Sequence, residues 1–224
     1  VARPGSFLGA LDPEAAAVLE ATGSVVRRAS GERLCSEGDA STTAWILRSG
    51  FVKLTKLSGA GREIVLELRG PGDILGEMGA IDGTPRSAAV IALGDIELVA
   101  IDAARLRELL LRHPPIALAL IEELARRLRQ ASDRQLELGT VDVLGRLCRR
   151  LVQLAESHGR DRDGRVLIAG GISQQELADW CGASRDSVVR ALRELRNADL
   201  VESRRTQVLI HDLAALSHVT AGGG

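Results

Sequence analysis

Two stretches of the chain carry residue types that could do chemistry. The first runs Leu75-Gly76-Glu77-Met78-Gly79-Ala80-Ile81-Asp82-Gly83-Thr84-Pro85-Arg86-Ser87-Ala88. Gly76 has no Cβ, so another group can approach its backbone closely. The amides that follow Glu77, beginning with that of Met78, can point together and form an anion site. Arg86 can grip a phosphate through two parallel N–H bonds, and the Ser87 hydroxyl can add a donor. Glu77 accepts hydrogen bonds of the kind a sugar hydroxyl offers. The set predicts a pocket for a sugar phosphate inside a barrel. The residues alone leave open a Gly-rich turn with a solvated Arg–Glu pair.

The second stretch opens with Ser173-Gln174-Gln175-Glu176, an S-x-x-E capping box. Its helix runs to Cys181 and stops at Gly182, which tolerates the left-handed conformation. Ser184 caps a second helix, so two helices meet across a short turn: a helix-turn-helix. Ala178 sits where the helices cross. In the second helix Val188, Ala191, Leu192 and Leu195 form a buried stripe, and Arg185, Asp186, Val189, Arg190 and Arg193 face the other way. Arg185 and Arg190 can each donate two bonds to a guanine edge in the major groove, and Asp186 can accept from cytosine. Ser173, Gln175, Ser184 and Ser187 suit phosphate contacts. The alternating runs 200–203 and 207–210 predict a hairpin with Arg204 and Arg205 at its tip, a basic wing beside the groove. An ordinary helical hairpin is the plainer alternative.

Three textures must position these stretches. From about residue 24 to 103, short β-rich runs alternate with turns such as Glu37-Gly38-Asp39 and Pro71-Gly72-Asp73, which predicts an antiparallel jelly roll. Helices are expected over 13–21 and 102–112. Residues 116–138 then form one long helical pattern without Gly or Pro. In it Ala117, Ile121, Leu124, Leu128, Ala131, Gln135 and Leu138 keep 4-3 spacing, a seam that asks for a partner helix. Its polar flank carries Glu122, Glu123, Arg126, Arg127, Arg129, Asp133 and Arg134. The seam is read as a self-paired homodimer contact, with packing on the helix's own domain as the alternative. Gly139 and Thr140 are expected to interrupt it. The reading is an α+β chain: a β-barrel domain over 1–113, a dimerisation helix over 114–139, and a winged helix-turn-helix over 140–224.

Composition narrows the classes. The 224 residues are 45% hydrophobic, 26% charged and only 2% aromatic, so the core is aliphatic. Net charge is −1, and the parts before and after position 139/140 carry −2 (17 basic, 19 acidic) and +1 (12 basic, 11 acidic). DNA would therefore be met by a local face rather than a basic body. No apolar run reaches the ~18–20 residues of a membrane span, and no apolar leader is visible, so a cytoplasmic, reducing location is expected. Cys35, Cys148 and Cys181 lie too far apart in sequence for a CxxC clip. A metal-dependent enzyme on a similar barrel would need a His cluster, and residues 1–112 hold no His. No metal and no catalytic activity are expected.

The stretch Gly76-Glu77 to Pro85-Arg86-Ser87 resembles the phosphate-binding cassette of cyclic-nucleotide-binding domains, with Glu37-Gly38-Asp39, Ser49-Gly50-Phe51-Val52-Lys53-Leu54 and Pro71-Gly72-Asp73 similar to that domain's turns. Residues 172–210 resemble the winged helix-turn-helix of the bacterial Crp–Fnr regulators. The resemblance spans roughly residues 7–218. It implies a homodimeric transcription regulator with cyclic AMP as effector and duplex DNA and RNA polymerase as partners; the alternative is a regulator of the same type that binds DNA with no nucleotide or with a different effector. It further implies that Glu77 binds the ribose 2′-hydroxyl, that Arg86 and Ser87 hold the cyclic phosphate, and that Ser132 of the partner subunit touches the purine. Arg185, Asp186 and Arg190 would read bases. Two positions depart from the family pattern: Ala131 stands where a Thr precedes the Ser on the long helix, and Asp186 stands where a Glu is usual. No N-terminal cysteine cluster is present for an iron–sulfur centre, and no His lies in the barrel for haem.

Overall fold

The computed structural model describes residues 5–59, 61, 63–169, 172–204 and 207–219. The chain divides into two compact units, 1–128 and 129–224. The first is built on eight strands: β1 (Ser24–Arg28), β2 (Arg33–Cys35), β3 (Thr43–Ser49), β4 (Val52–Leu57), β5 (Glu63–Arg69), β6 (Ile74–Leu75), β7 (Ala89–Ala92) and β8 (Ile96–Asp102). They form two antiparallel four-stranded sheets, ordered β1-β8-β3-β6 and β2-β7-β4-β5. This is the expected jelly roll. The very short β2 and β6 have no counterpart in the sequence reading, because two or three residues are too few to show alternation. Leu47, Val52, Leu75, Val90 and Leu98 fill the space between the sheets.

Helices close one side of this unit. Helix α1 (Pro13–Ala21) is capped by Asp12 and has Pro at its first position, where no N–H is needed. Between β6 and β7 lies α2 (Glu77–Asp82), a short helix where the sequence reading expected only a turn. Helix α3 (Ala103–Arg112) is capped by Asp102. The long α4 (Pro114–Thr140) starts at the two prolines and runs through Gly139, so the expected interruption is absent; Val141 N–H still bonds Glu137 O. One glycine costs a helix only about 1 kcal/mol, too little to end it.

The first half of α4 corrects the seam. Ile116, Ala119 and Leu120 are buried with Leu19, Ile46, Ile74, Ile101 and Leu106, and Leu124 packs on the same cluster. Leu124 therefore faces the barrel. Among the described residues of α4 the exposed large apolar side chains are Leu118 (57%), Ile121 (63%), Leu128 (70%) and Leu136 (69%), a stripe that keeps Ile121 and Leu128 of the expected seam but is rotated away from Leu124. The Leu138 side chain lies outside the described set. Glu123 is likewise buried and Arg127 is partly buried against it, so neither is part of a solvated flank.

In the second unit α5 (Val143–His158) precedes β9 (Arg160–Arg162) and β10 (Arg165–Ala169), then α6 (Gln174–Cys181), α7 (Arg185–Asn197), β11 (Val201–Ser203), β12 (Gln207–Ile210) and α8 (Leu213–Val219). The four strands form one antiparallel sheet, β11-β12-β10-β9. Leu147, Leu151, Val188, Leu192 and Leu195 are fully or nearly fully buried. Each buried aliphatic side chain contributes about 1.5–3 kcal/mol, which suits an interior with so few aromatics.

Candidate functional site

The residues of the expected anion site come from β3, β6, α2 and the segment before β7. Gly76 takes φ +70°, at the start of α2. A Cβ there would lie 2.0 Å from Arg86 Nη1 and 3.2 Å from the Thr43 carbonyl oxygen, so glycine is required both by conformation and by space. Arg86 is 6% exposed, and its backbone is pinned: its N–H donates to Asp39 O, and its carbonyl accepts from Gly38 N–H.

The Arg86 guanidinium points inward. Nη1 donates to Gly76 O at 3.0 Å and Nη2 donates to Thr43 O. Its carbon lies 4.4 Å from the centre of the Trp45 ring. Among the described residues no carboxylate forms an ion pair with it, and Nε is buried without an acceptor. Burial holds its pKa below the ordinary arginine value, with Cys35, Glu77 and Asp39 pulling the other way. A desolvated cation with a spare donor is an anion receptor in waiting, since an unmet buried donor costs about 1–3 kcal/mol. The solvated Arg–Glu pair is thus not what forms.

Glu77 is also buried, at 4% exposure. Its Oε1 accepts from Arg127 Nη1 at 2.6 Å. Arg127 reaches in from α4, donating as well to Glu123 Oε1 at 2.6 Å and to Ile74 O at 2.9 Å. Glu123 in turn pairs with Arg126, and Arg69 lies between Glu67 and Glu123. Burial raises the Glu123 pKa, but Arg127, Arg126 and Arg69 together hold it below the usual carboxylate range. Arg127 and Trp45 are the pocket residues that the sequence reading missed. Glu123 and Arg127 do share a helical face with Ile116 and Leu120, so the spacing held a clue. Met78 is half exposed on α2 and Ser87 is exposed beside Arg86. Ser132 is exposed and belongs to the second unit.

The second unit carries the candidate nucleic-acid interface. At α6 the Ser173 hydroxyl accepts from Glu176 N–H at 3.2 Å and Glu176 Oε2 accepts from Ser173 N–H at 2.7 Å, so the capping box is complete. Gly182 takes φ +61°, and Ser184 Oγ accepts from Ser187 N–H. Ala178 is fully buried between the helices, and Val188, Ala191, Leu192 and Leu195 form the inner stripe. Arg185, Asp186, Arg190 and Arg193 are exposed. Arg190 Nη2 donates to Ser187 Oγ at 3.0 Å, which lays its side chain along the helix. Gln175 bonds Asp179. On the hairpin Arg204 pairs with Glu202 at 3.0 Å, and Arg196 of α7 donates to Ser203. Arg205 and Thr206, the rest of the expected tip, lie outside the described residues.

This interface is braced from behind. Buried Glu137, near the end of α4, accepts from Arg150 and also pairs with Arg149 at 3.2 Å. The Arg150 carbon lies 5.5 Å from the Trp180 ring on α6. Cys148 and Cys181 are buried free thiols, each pushed up to about 12, chiefly by desolvation. Among the described residues no group of His, Cys, Asp and Glu is placed to hold a metal ion, and no helix is long and apolar enough to cross a membrane.

Comparison with known proteins aligns with this geometry. A cyclic nucleotide-binding domain model matches residues 25–113, and a Crp-like helix-turn-helix domain model matches residues 145–219. The chain is 32% identical over 217 residues to the CRP-like cAMP-activated global transcriptional regulator of Mycobacterium tuberculosis, covering 97% of this chain and 96% of that protein. Its fold is like that of FixK2 from Bradyrhizobium japonicum, with TM-score 0.78 and 21% identity over 90% of this chain and 99% of that one. It also resembles the c-di-GMP responsive global regulator CLP of Xanthomonas campestris, with TM-score 0.71 and 26% identity over 90% of this chain and 100% of that one.

Proposed function

The chain belongs to the Crp–Fnr family of transcription regulators, and from that membership we propose that it is a homodimer that senses cyclic AMP and binds palindromic duplex DNA. The observation that carries this reading is the buried Arg86 guanidinium, which has no carboxylate partner among the described residues and whose Nε has no acceptor. A cyclic phosphate supplies the missing anion. Glu77 accepts from the ribose hydroxyl, while the bond from Arg127 Nη1 to Glu77 Oε1 aims the carboxylate. Gly76, the Met78 amide and Ser87 line the same cassette. The name of the mycobacterial relative, cAMP-activated, supports cyclic AMP over other cyclic nucleotides.

The division of labour follows as a barrel over 1–113, a dimer helix over 114–139 and a DNA-binding domain over 140–224. The exposed Leu118, Ile121 and Leu128 on α4 support self-pairing, because an apolar stripe of that kind is stable only when covered. Ser132 of the partner subunit then contacts the purine. Arg185, Asp186 and Arg190 read bases; Ser173, Gln175, Ser184, Ser187 and Arg204 hold phosphates. RNA polymerase is the partner through which such a regulator acts, in the cytoplasm. Ligand shifts the population toward the dimer whose two recognition helices match successive major grooves, with a coupling of about 1–3 kcal/mol.

A second effector is favoured by two facts. Ala131 removes a hydroxyl next to Ser132, and the structure of CLP is described as c-di-GMP responsive. Calorimetric titration of the purified protein with cyclic AMP, cyclic GMP, c-di-GMP and buffer separates the readings. Heat from cyclic AMP alone is expected; Arg86→Ala should weaken that binding and remove the response of DNA binding to ligand, while keeping weak DNA binding. Absence of binding by all three ligands at millimolar concentration would sink the sensing role.

A further inference from the structure

We propose that Trp45 is a positioning residue of the nucleotide pocket, its ring holding the Arg86 guanidinium in the plane that presents its free edge to the ligand's phosphate. The inference rests on the pocket reading above and adds to it the group that makes Arg86 competent.

The five donors of a guanidinium lie in one plane. Two carbonyl acceptors, Gly76 O on Nη1 and Thr43 O on Nη2, fix rotation within that plane. They leave one freedom, a rocking motion about the line joining the two Nη atoms. That motion swings Nε, the donor without a partner, out of register with an incoming oxygen. A ring face 4.4 Å away removes the freedom, because stacking favours one orientation of the plane. Strand β3 supplies both restraints, through the Thr43 carbonyl and the Trp45 side chain two residues later. The ring also meets part of the cost of burying a cation without a counter-anion, and it does so without occupying a donor. A carboxylate in its place would neutralise Arg86 and compete with the phosphate.

The test compares wild type, Trp45→Phe, Trp45→Leu, Arg86→Ala and Trp45→Leu/Arg86→Ala by calorimetric titration with cyclic AMP and by denaturant unfolding. Trp45→Leu should weaken binding about 10-fold or more, and Trp45→Phe, which keeps an aromatic face, no more than about 3-fold. On the Arg86→Ala background Trp45→Leu should add less than about 2-fold. A spectroscopic arm uses Trp180→Phe, which leaves Trp45 as the sole Trp in a chain without Tyr. Cyclic AMP should then shift its emission, and Arg86→Ala should abolish the shift.

Wild-type affinity in Trp45→Leu, or an equal loss with and without Arg86, overturns the positioning role while leaving the pocket reading intact. If wild type binds no nucleotide, the pocket reading fails instead, and the unfolding cycle decides the Trp45 contact. Coupling of about 3-fold or more between Trp45 and Arg86 in the unfolding constant then supports it, and additive losses overturn it.

Discussion

Gly76→Ala is the most informative single change at the pocket. A residue with a Cβ pays about 1–2 kcal/mol to hold the left-handed conformation that Gly76 adopts at φ +70°. The new methyl would also sit 2.0 Å from Arg86 Nη1, far inside contact distance. Arg86 must withdraw, and it is too buried to do so freely. Losing one of its two bonds to Gly76 O and Thr43 O costs about 1.5–3 kcal/mol, since the donor is charged. The expected destabilisation is the sum, about 2.5–5 kcal/mol. Affinity for cyclic AMP should fall about 10- to 150-fold, the value of one charged bond to the phosphate. On an Arg86→Ala background the clash is gone, and the nearest remaining neighbour of the new methyl is Thr43 O at 3.2 Å. There the same substitution should cost only the backbone strain, about 1–2 kcal/mol. Denaturant unfolding of the four proteins in the cycle, with calorimetry on the two that keep Arg86, reads both quantities. Equal costs on the two backgrounds, or undiminished affinity in Gly76→Ala, would refute the idea that Arg86 is held against this carbonyl.

Other outcomes follow from the second unit. Arg185→Ala should weaken operator binding by about 1–3 kcal/mol in fluorescence anisotropy and leave cyclic AMP affinity unchanged. Glu137→Gln should cost about 3–5 kcal/mol in unfolding experiments, because buried Arg150 loses a counter-charge, whereas Glu137→Leu/Arg150→Met should cost less. Cys148 and Cys181 have folded pKa values pushed up to about 12 from an ordinary 9.0, so the unfolded thiols release protons first. Stability should accordingly be full below pH 9 and fall as pH rises from 9 toward 12, and Cys148→Ala/Cys181→Ala should flatten that decline in pH-dependent melts. At pH 8 these thiols should stay unreactive to a disulfide reagent until the protein is unfolded.

The helix-turn-helix was legible in the sequence because its determinants are local. A cap, an αL glycine and a stripe at i, i+3, i+4 and i+7 act within a few residues, and α6, Gly182 and α7 formed where those features put them. The cassette was legible in part. Arg86 and Glu77 stood out by type, but whether they paired in solvent or turned inward depended on Trp45 and Arg127, each some forty or fifty positions away in the chain. Periodicity identified residues 116–138 as one long helix with an apolar and a charged side. It could not say which face the barrel would take, so Leu124, Glu123 and Arg127 were assigned to the wrong surroundings.

From the order of residues alone came the layout: short aliphatic strands, a long helix, a capped pair of helices and the two arginine-bearing stretches. Backbone preferences and side-chain period act over a few residues, so they are written in the chain. The burial of Arg86 without a carboxylate partner among the described residues, the claim of Arg127 on Glu77, and the exposed face of α4 were decided only when distant segments packed. Desolvation and close contact are properties of that packing, and it is desolvation that makes the unpartnered Nε of Arg86 costly to leave unmet.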